Sequence, residues 1–372
     1  LGDSTSATQL PVMTTTQRIA MTGLSVGEMI FNSDTDKVEY FDGTKWYGIT
    51  YEVNYLYNNV LYSGNGNTSN PQTNIGFSPD LVLIADRDAG NYNPIQDSVR
   101  GVNSVLVTAL NAAEQPSSWR NSFGQITSFD SDGFNVSDGS GNANSNFNQS
   151  GRDYVAWCFK AGGAAVANTD GNIASQVSAN VAGGFSVVKW SGNDTTGGTI
   201  GHGLSSTPEL TIIKKTSAAA DWQVSLNASV TGVEGYMNLN TNAALYTTYP
   251  LYYTSSNSTV LSSNGTSSAT RLYNNQSADY IAYCFHSVPG FSKVGSYTGT
   301  GAAGNKVDTG FEPAFIMIKR TDGPQDWWIV DNKISTTSSE FNRYIKVNTL
   351  NGTFTPSANI NIHIDGFSFD GV

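Results

Sequence analysis

Two short stretches of alternating aromatic and small residues organise the chain, YVAWCF at Tyr154–Phe159 and YIAYCF at Tyr280–Phe285. In both stretches the residues at even and at odd positions are aromatic or apolar, so both faces of the strand would be apolar. This is the pattern of a β-strand with two buried faces. The sequence therefore predicts two equivalent central strands, which we call the motif strands.

A second pattern accompanies the motif strands and occurs three times. A glycine turn, a proline and an apolar strand begin at Gly76, Gly203 and Gly310. The interval from this pattern to the motif strand is 78 residues in the first copy and 77 in the second. Matching intervals indicate tandem copies of one domain.

Short alternating stretches separated by Gly and Asn turns are typical of antiparallel β-sandwiches. We therefore expect an all-β protein. The predicted parts are a small N-terminal helix and β-hairpin module at residues 1–52, a sandwich at 53–163, a linker strand with a second sandwich at 164–288, and a third sandwich at 289–372.

The third copy lacks a motif strand. In the first copy 20 residues separate Phe134 of an Asp-Gly-Phe turn from Tyr154, and the turn recurs at Phe367. The corresponding strand would begin near position 387, about 15 residues beyond Val372. A sandwich without a central strand exposes unpaired backbone groups. We expect that the gene product continues, as the start at Leu1 also suggests, or that a neighbouring chain donates the strand.

Composition narrows the possible partners. Only 13% of the residues are charged and the net charge is −11, which argues against nucleic acid and anionic membrane surfaces. No apolar run approaches the roughly 18 residues of a membrane span. Cys158 and Cys284 stand at equivalent positions, and we expect both to be reduced, buried core residues.

The N-terminal segment has its own signals. Thr14 is a plausible N-cap for a short helix through Arg18 and Met21, and two strands follow Gly27. A hairpin this short cannot bury its aromatic and aliphatic side chains alone. We therefore expect residues 10–50 to form a homotrimer or another parallel oligomer.

Residues 10–50, ending in FDGTKW, resemble a module of tail-fibre and other virion proteins of tailed bacteriophages. The downstream segments YVAWCFKAGG, VSANVAGGFSVVKW and YIAYCFHSVPGFSKVGSYTGTG resemble repetitive structural proteins of marine and cyanobacterial phages. The domains of that family are similar to concanavalin-like lectin jelly rolls. The resemblance implies a virion location, other virion proteins as partners and host-surface carbohydrate as a ligand. The family has no agreed catalytic residues.

Several side-chain groups are candidates for chemistry. Asp130, Asp132 and Asp138 lie in a loop like that of a calcium site, but the closing Glu is absent, and a hairpin turn at Asp132-Gly133 is the alternative. The three histidines, His202, His286 and His363, lack metal-ligand spacing, and we expect them to be capping or solvent-edge residues.

Acid–tryptophan pairs recur at matching places in the second and third copies. An aromatic ring beside an acid is a common sugar-binding combination, although a strand packing its Trp into the core gives the same pattern. The candidate glycan contacts are Asp221, Trp222, Asp326, Trp327 and Trp328.

We expect a non-enzymatic virion structural protein without cofactor or metal, namely a tail-fibre or other appendage component whose domains contact glycans. The alternatives are a capsid decoration or spacer without a ligand and a polysaccharide depolymerase, which requires two carboxylates flanking a sugar bond. No acid pair recurs in the repeats.

Overall fold

The computed structural model describes residues 10–34, 37–49, 56–140, 145–232, 235–247, 256–263, 274–337, 339–355 and 359–370. The chain divides into two compact units, Leu1–Asn54 and Tyr55–Val372. Nearly all regular structure in both units is antiparallel β-sheet. The prediction of an all-β fold with antiparallel sandwiches is confirmed.

The first unit is one four-stranded sheet with a single helical turn. Its elements are β1 (Val12–Met13), α1 (Thr15–Ile19), β2 (Met29–Asn32), β3 (Lys37–Phe41) and β4 (Trp46–Ile49), and the strands are adjacent in chain order. Thr14 caps α1 in a capping box with Gln17, as the sequence predicts. The helix ends at Ile19, earlier than expected. The sequence predicts a turn at Asp34–Asp36 between β2 and β3, and residues 35–36 lie outside the described residues.

The second unit contains three repeats, which we number 1 (residues 56–163), 2 (164–288) and 3 (289–370). Repeat 1 has β5 (Tyr57–Ser63), β6 (Asn70–Gln72), β7 (Leu81–Asp86), β8 (Pro94–Asp97), β9 (Leu106–Val107), α2 (Ser117–Phe123), β10 (Gln125–Asp130), β11 (Gly133–Ser137) and β12 (Asp153–Phe159). Its strands form two sheets. The sheet that contains the motif strand, which we call the inner sheet, has the order β5-β12-β7-β8-β9, and the other, which we call the outer sheet, has the order β10-β11-β6.

Repeat 2 follows the same plan with two added edge strands. It has β13 (Val166–Asn168), β14 (Ser175–Asn180), β15 (Phe185–Ser191), β16 (Gly198–Gly201), β17 (Leu210–Lys215), β18 (Gln223–Leu226), α3 (Ala228–Thr231), β19 (Gly235–Asn238), β20 (Val260–Ser263) and β21 (Asp279–Phe285). The inner sheet is β13-β14-β15-β21-β17-β18-β19 and the outer sheet is β16-β20. The segment NIASQVSAN at 172–180, for which the sequence allows a linker or a strand, contains β14.

Repeat 3 has the smallest inner sheet. Its strands are β22 (Asn305–Asp308), β23 (Phe315–Ile318), β24 (Trp328–Asp331), β25 (Glu340–Phe341), β26 (Ile345–Lys346), β27 (Ile360–His363) and β28 (Gly366–Phe369). The inner sheet is β23-β24-β26 and the outer sheet is β22-β28-β27-β25.

The motif strands β12 and β21 occupy equivalent places. Each lies between two antiparallel partners, β12 between β5 and β7 and β21 between β15 and β17. Phe159 pairs with Leu81 and Phe285 pairs with Leu210, so the register is also the same. The prediction that the first two copies place their motif strands equivalently is confirmed.

Alternation divides each motif strand between two cores. In β21, Tyr280, Ala282 and Cys284 face the core inside repeat 2, whereas Ile281 and Tyr283 face a central core that all three repeats share. The central core also contains Trp157 of repeat 1 and Ile329 of repeat 3. The boundaries 53–163, 164–288 and 289–372 stay a prediction, and the shared core is a feature that the sequence did not suggest.

Candidate functional site

The acid–tryptophan pairs lie where the repeats meet. Trp222 directly precedes β18 and Trp327 directly precedes β24, and the relative exposure of the two side chains is 0% and 5%. In repeat 1 the equivalent residue is Asn93, which directly precedes β8 and is also buried. These three side chains occupy one position of the repeat.

Each of these side chains donates a hydrogen bond to a main-chain carbonyl of a neighbouring repeat. The donor–acceptor pairs are Trp222 Nε1 to Val107 O at 3.0 Å, Trp327 Nε1 to Asn238 O at 2.9 Å, and Asn93 Nδ2 to Lys346 O at 3.1 Å.

The accepting carbonyls are equivalent as well. Val107, Asn238 and Lys346 each pair with the first residue of β8, β18 and β24, respectively. Repeat 2 therefore donates to repeat 1, repeat 3 to repeat 2, and repeat 1 to repeat 3. The three bonds form a closed cyclic arrangement, which we call the inter-repeat ring.

The acid of each pair is linked to the backbone of its Trp through an Asn side chain. Asn240 accepts a hydrogen bond from the Trp222 backbone N–H at 2.8 Å and donates one to Asp221 at 2.8 Å. Asn348 links Trp327 and Asp326 in the same way, with both distances at 2.9 Å. An Asn between acid and Trp backbone explains why the pair recurs.

A second set of contacts joins the motif strands to neighbouring repeats. The Trp157 indole N–H donates to Asp331 at 2.7 Å, and the Tyr283 hydroxyl donates to Asp97 at 2.9 Å. Asp97 and Asp331 both end a strand at the same register position, where repeat 2 has Leu226. Burial raises the pKa of Asp331, and the Ile334 backbone N–H and the Trp157 indole oppose this effect.

These contacts decide what the predicted glycan residues are able to do. The rings of Trp222 and Trp327 are covered by protein, and the Trp328 ring packs against Tyr344 and Phe354. A sugar stacks on an exposed aromatic face. Trp222 and Trp327 offer no such face, and Trp328 is half-buried against two other rings, so we do not propose glycan binding through them.

The other candidate groups have structural partners. Asp132 accepts hydrogen bonds from the backbone N–H groups of Gly76 at 2.6 Å and Asn74 at 3.1 Å, and Asp138 accepts one from Gly139 at 2.8 Å. Among the residues that the structure describes, no group of three His, Cys, Asp or Glu side chains is placed to hold a metal ion.

His202 is the buried histidine of the chain's three. Its ring contacts the Asn257 carbonyl through Nε2 at 3.0 Å, while Nδ1 accepts from the Leu204 backbone at 3.1 Å. This pattern assigns the neutral ring with the proton on Nε2. Burial lowers the pKa of His202. The capping role is confirmed, but the residue lies inside the repeat and not at the solvent edge.

Both cysteines are free and buried, as the sequence predicts. Burial raises the pKa of both thiols, that of Cys284 to about 12. They are packing residues because a nucleophilic cysteine needs an accessible thiolate.

Sequence reasoning missed Asn93 and the carbonyls that close the ring. The alignment of Gly76 with Gly203 and Gly310 places a strand, an irregular loop and a second strand in every repeat. The residue directly before that second strand is Asn93, Trp222 or Trp327, so this position was the signal that could have identified all three. Asn93 was missed because an Asn side chain does not resemble a Trp in the sequence.

Within the described part of the chain, no helix is long and apolar enough to cross a membrane. Residues 53–370 match a family described as a domain of unknown function (DUF7483). No curated protein and no solved structure matches the chain. The family match spans all three repeats and most of the sequence, so the chain belongs to the DUF7483 family.

Proposed function

We propose that this protein is a non-enzymatic structural component of a bacteriophage virion, in a tail fibre or another appendage. The observation that carries the proposal is the inter-repeat ring. The conspicuous Trp, Asn and Asp side chains of repeats 1–3 are used to join the repeats into one block. A block held together by a shared core and by hydrogen bonds between its repeats is suited to a mechanical role.

The N-terminal unit supplies the attachment end of this proposal. It resembles phage virion modules and exposes apolar side chains of its strands, Val12, Met29 and Tyr40, together with Ile19 of α1 and Val26 of a loop. Exposed apolar groups at this density are typical of a surface that another chain covers. We infer that residues 10–50 bind other virion proteins or copies of this chain, in a homotrimer.

Host-surface carbohydrate remains a second candidate ligand because two exposed aromatic rings are stacked on others. Tyr246 stacks on Tyr236 with ring centroids 5.1 Å apart, and Tyr297 stacks on Phe369 with centroids 5.3 Å apart. The side chains of Tyr246 and Tyr297 are 40% and 41% exposed, so each pair holds a partly exposed ring in a fixed orientation. Binding of the protein to an array of host polysaccharides would favour a function as an adhesin over that of a spacer without a ligand.

Immunogold electron microscopy on purified particles tests the virion assignment. Antibodies against residues 55–372 are expected to label a defined appendage. Particles assembled without the protein should regain the label when the full chain is added, but not when a chain lacking residues 1–50 is added. Protein confined to the lysate and absent from particles would refute the proposal. Release of oligosaccharides from host polysaccharide would instead indicate a depolymerase.

A further inference from the structure

The inner sheet of repeat 3 has an open edge. In repeats 1 and 2, strands β7 and β17 each lie between a motif strand and the next strand of the sheet. Their counterpart β23 pairs with β24 on one edge only, and no described residue pairs with the other. The counterpart of β5 and β15 is also missing, because residues 293–304 contain no strand.

Side-chain burial reflects the same difference. Ile84 of β7 and Ile213 of β17 are 0% and 2% exposed, and both lie beside a motif strand. Ile318 holds the equivalent place in β23 and is only partly buried. The core of repeat 3 is thus incompletely covered on the side of the open edge.

Backbone hydrogen bonds give the direction of the free groups. The Ala314 carbonyl accepts from Asn332 at 3.0 Å on the β24 side. Because successive residues of a strand point their N–H and C=O groups to opposite edges, those of Phe315 and Met317 face the open edge. Repeat 1 shows the same alternation. Arg87, an even number of residues after the β7 counterparts of Phe315 and Met317, donates its backbone N–H to the Asp153 carbonyl of the motif strand at 2.8 Å.

The open edge is continuous with the central core. A motif strand in this place would extend the interface that Trp157 and Tyr283 already form there. Trp157 and Tyr283 each donate a hydrogen bond to a buried Asp of a neighbouring repeat. The equivalent position of repeat 2 holds Leu226, whose side chain cannot accept a hydrogen bond. The residue that approaches Leu226 should therefore be apolar, because an unpaired buried donor is costly.

We propose that the open edge of β23 binds an extended segment of a different protein chain, of the Tyr-x-Ala-x-Cys-Phe type, with an apolar residue in place of Trp157 and Tyr283. The sequence contains this motif only in β12 and β21. Both strands are buried between two partners, so a second copy cannot release one without unfolding. The binding mode is strand addition to a sheet edge.

A fluorescein-labelled peptide of residues 278–286 carrying Tyr283→Phe tests the proposal with the full chain. Fluorescence anisotropy should show saturable binding. In β21 the backbone groups of position 283 face β17 and those of position 282 face β15. N-methylation at position 283 should therefore weaken binding at least tenfold, whereas N-methylation at position 282 should leave it unchanged.

Protein variants provide the matched comparison. Met317→Pro removes one N–H from the open edge without removing a β24 hydrogen bond, and proline is tolerated on edge strands. Met317→Ala shortens the side chain and keeps the N–H. Met317→Pro should abolish peptide binding and Met317→Ala should retain it, with both variants keeping the wild-type far-UV circular dichroism spectrum.

Three results would overturn the proposal. These are the absence of saturable binding, equal effects of the two N-methylated peptides, and unchanged binding by a folded Met317→Pro variant. Light scattering adds an independent arm. If the chain dimerises and Met317→Pro makes it monomeric, the occupant is a second copy and the proposal is wrong.

Discussion

The Trp157 indole nitrogen lies 2.7 Å from a carboxylate oxygen of Asp331, although 174 residues separate the two in the chain. Trp157 is in a motif strand of repeat 1 and Asp331 ends β24 of repeat 3. The contact is fully buried, so replacing Trp157 alone leaves the acid without one of its donors.

Trp157→Phe should therefore lower the free energy of unfolding by about 1–3 kcal/mol, the usual cost of an unmet buried hydrogen bond. Trp157→Ala should lower it by about 3–5 kcal/mol because it also leaves a cavity. Urea denaturation followed by circular dichroism measures both. Tyr283→Phe is the matched variant at Asp97, and a null effect at both sites would contradict the role of these contacts.

The inter-repeat ring predicts that repeats 1–3 unfold together. A shared core and the hydrogen bonds between repeats, including the three of the ring, should give one cooperative transition for residues 55–372, seen at the same denaturant concentration by Trp fluorescence and by circular dichroism. Trp222→Phe should shift this whole transition and lower stability by about 1–3 kcal/mol, because the Val107 carbonyl loses its donor. Separate transitions, with only one shifted, would indicate independent domains.

Both thiols should be unreactive in the folded protein. Cys158 and Cys284 are buried, and burial keeps them protonated at neutral pH. Labelling with a thiol reagent at pH 8 should proceed only at the rate of unfolding and become fast in guanidinium chloride. Rapid labelling of either residue under native conditions would show that its strand is not in the core. Cys158→Ser and Cys284→Ser assign the signal.

Stability should fall as the pH drops below about 6.5, the ordinary pKa of histidine. Burial lowers the pKa of His202 in the folded state, so the unfolded chain binds a proton that the folded chain resists. The contribution is fully present above the unfolded pKa and is lost as the pH decreases towards the folded one. His202→Gln should reduce the slope by at most about 1.4 kcal/mol per pH unit. An unchanged slope between pH 7 and 5 would exclude this residue.

The N-terminal unit is expected to hold the oligomer together. Light scattering should give a homotrimer for the full chain and a monomer after deletion of residues 1–50. Ile19→Asp with Val26→Asp tests the exposed apolar side chains of this unit in the full chain, since both are more than 70% exposed. Replacing the buried Ile30 would not be informative, because it would disturb the sheet itself. A deletion variant that stays trimeric would move the interface to the repeats.

The sequence by itself determined the strands and the repeat. Alternation in YVAWCF and YIAYCF required two buried faces, and the constant spacing to Gly76 and Gly203 required the same position in the sheet. The turn residues also follow from local geometry, as Gly133 at the start of β11 shows. It has a φ of 153°, and an added Cβ would stand 1.9 Å from the Gln72 carbonyl, so local sterics prescribe the residue.

Only the tertiary structure decided what the second face of each motif strand contacts. A pattern of apolar residues records that a face is buried but not which partner covers it, because the hydrophobic effect is not directional. Whether Trp222 binds a sugar or a carbonyl of another repeat depends on Val107, more than 100 residues away. That contact forms only when the three repeats close around one core.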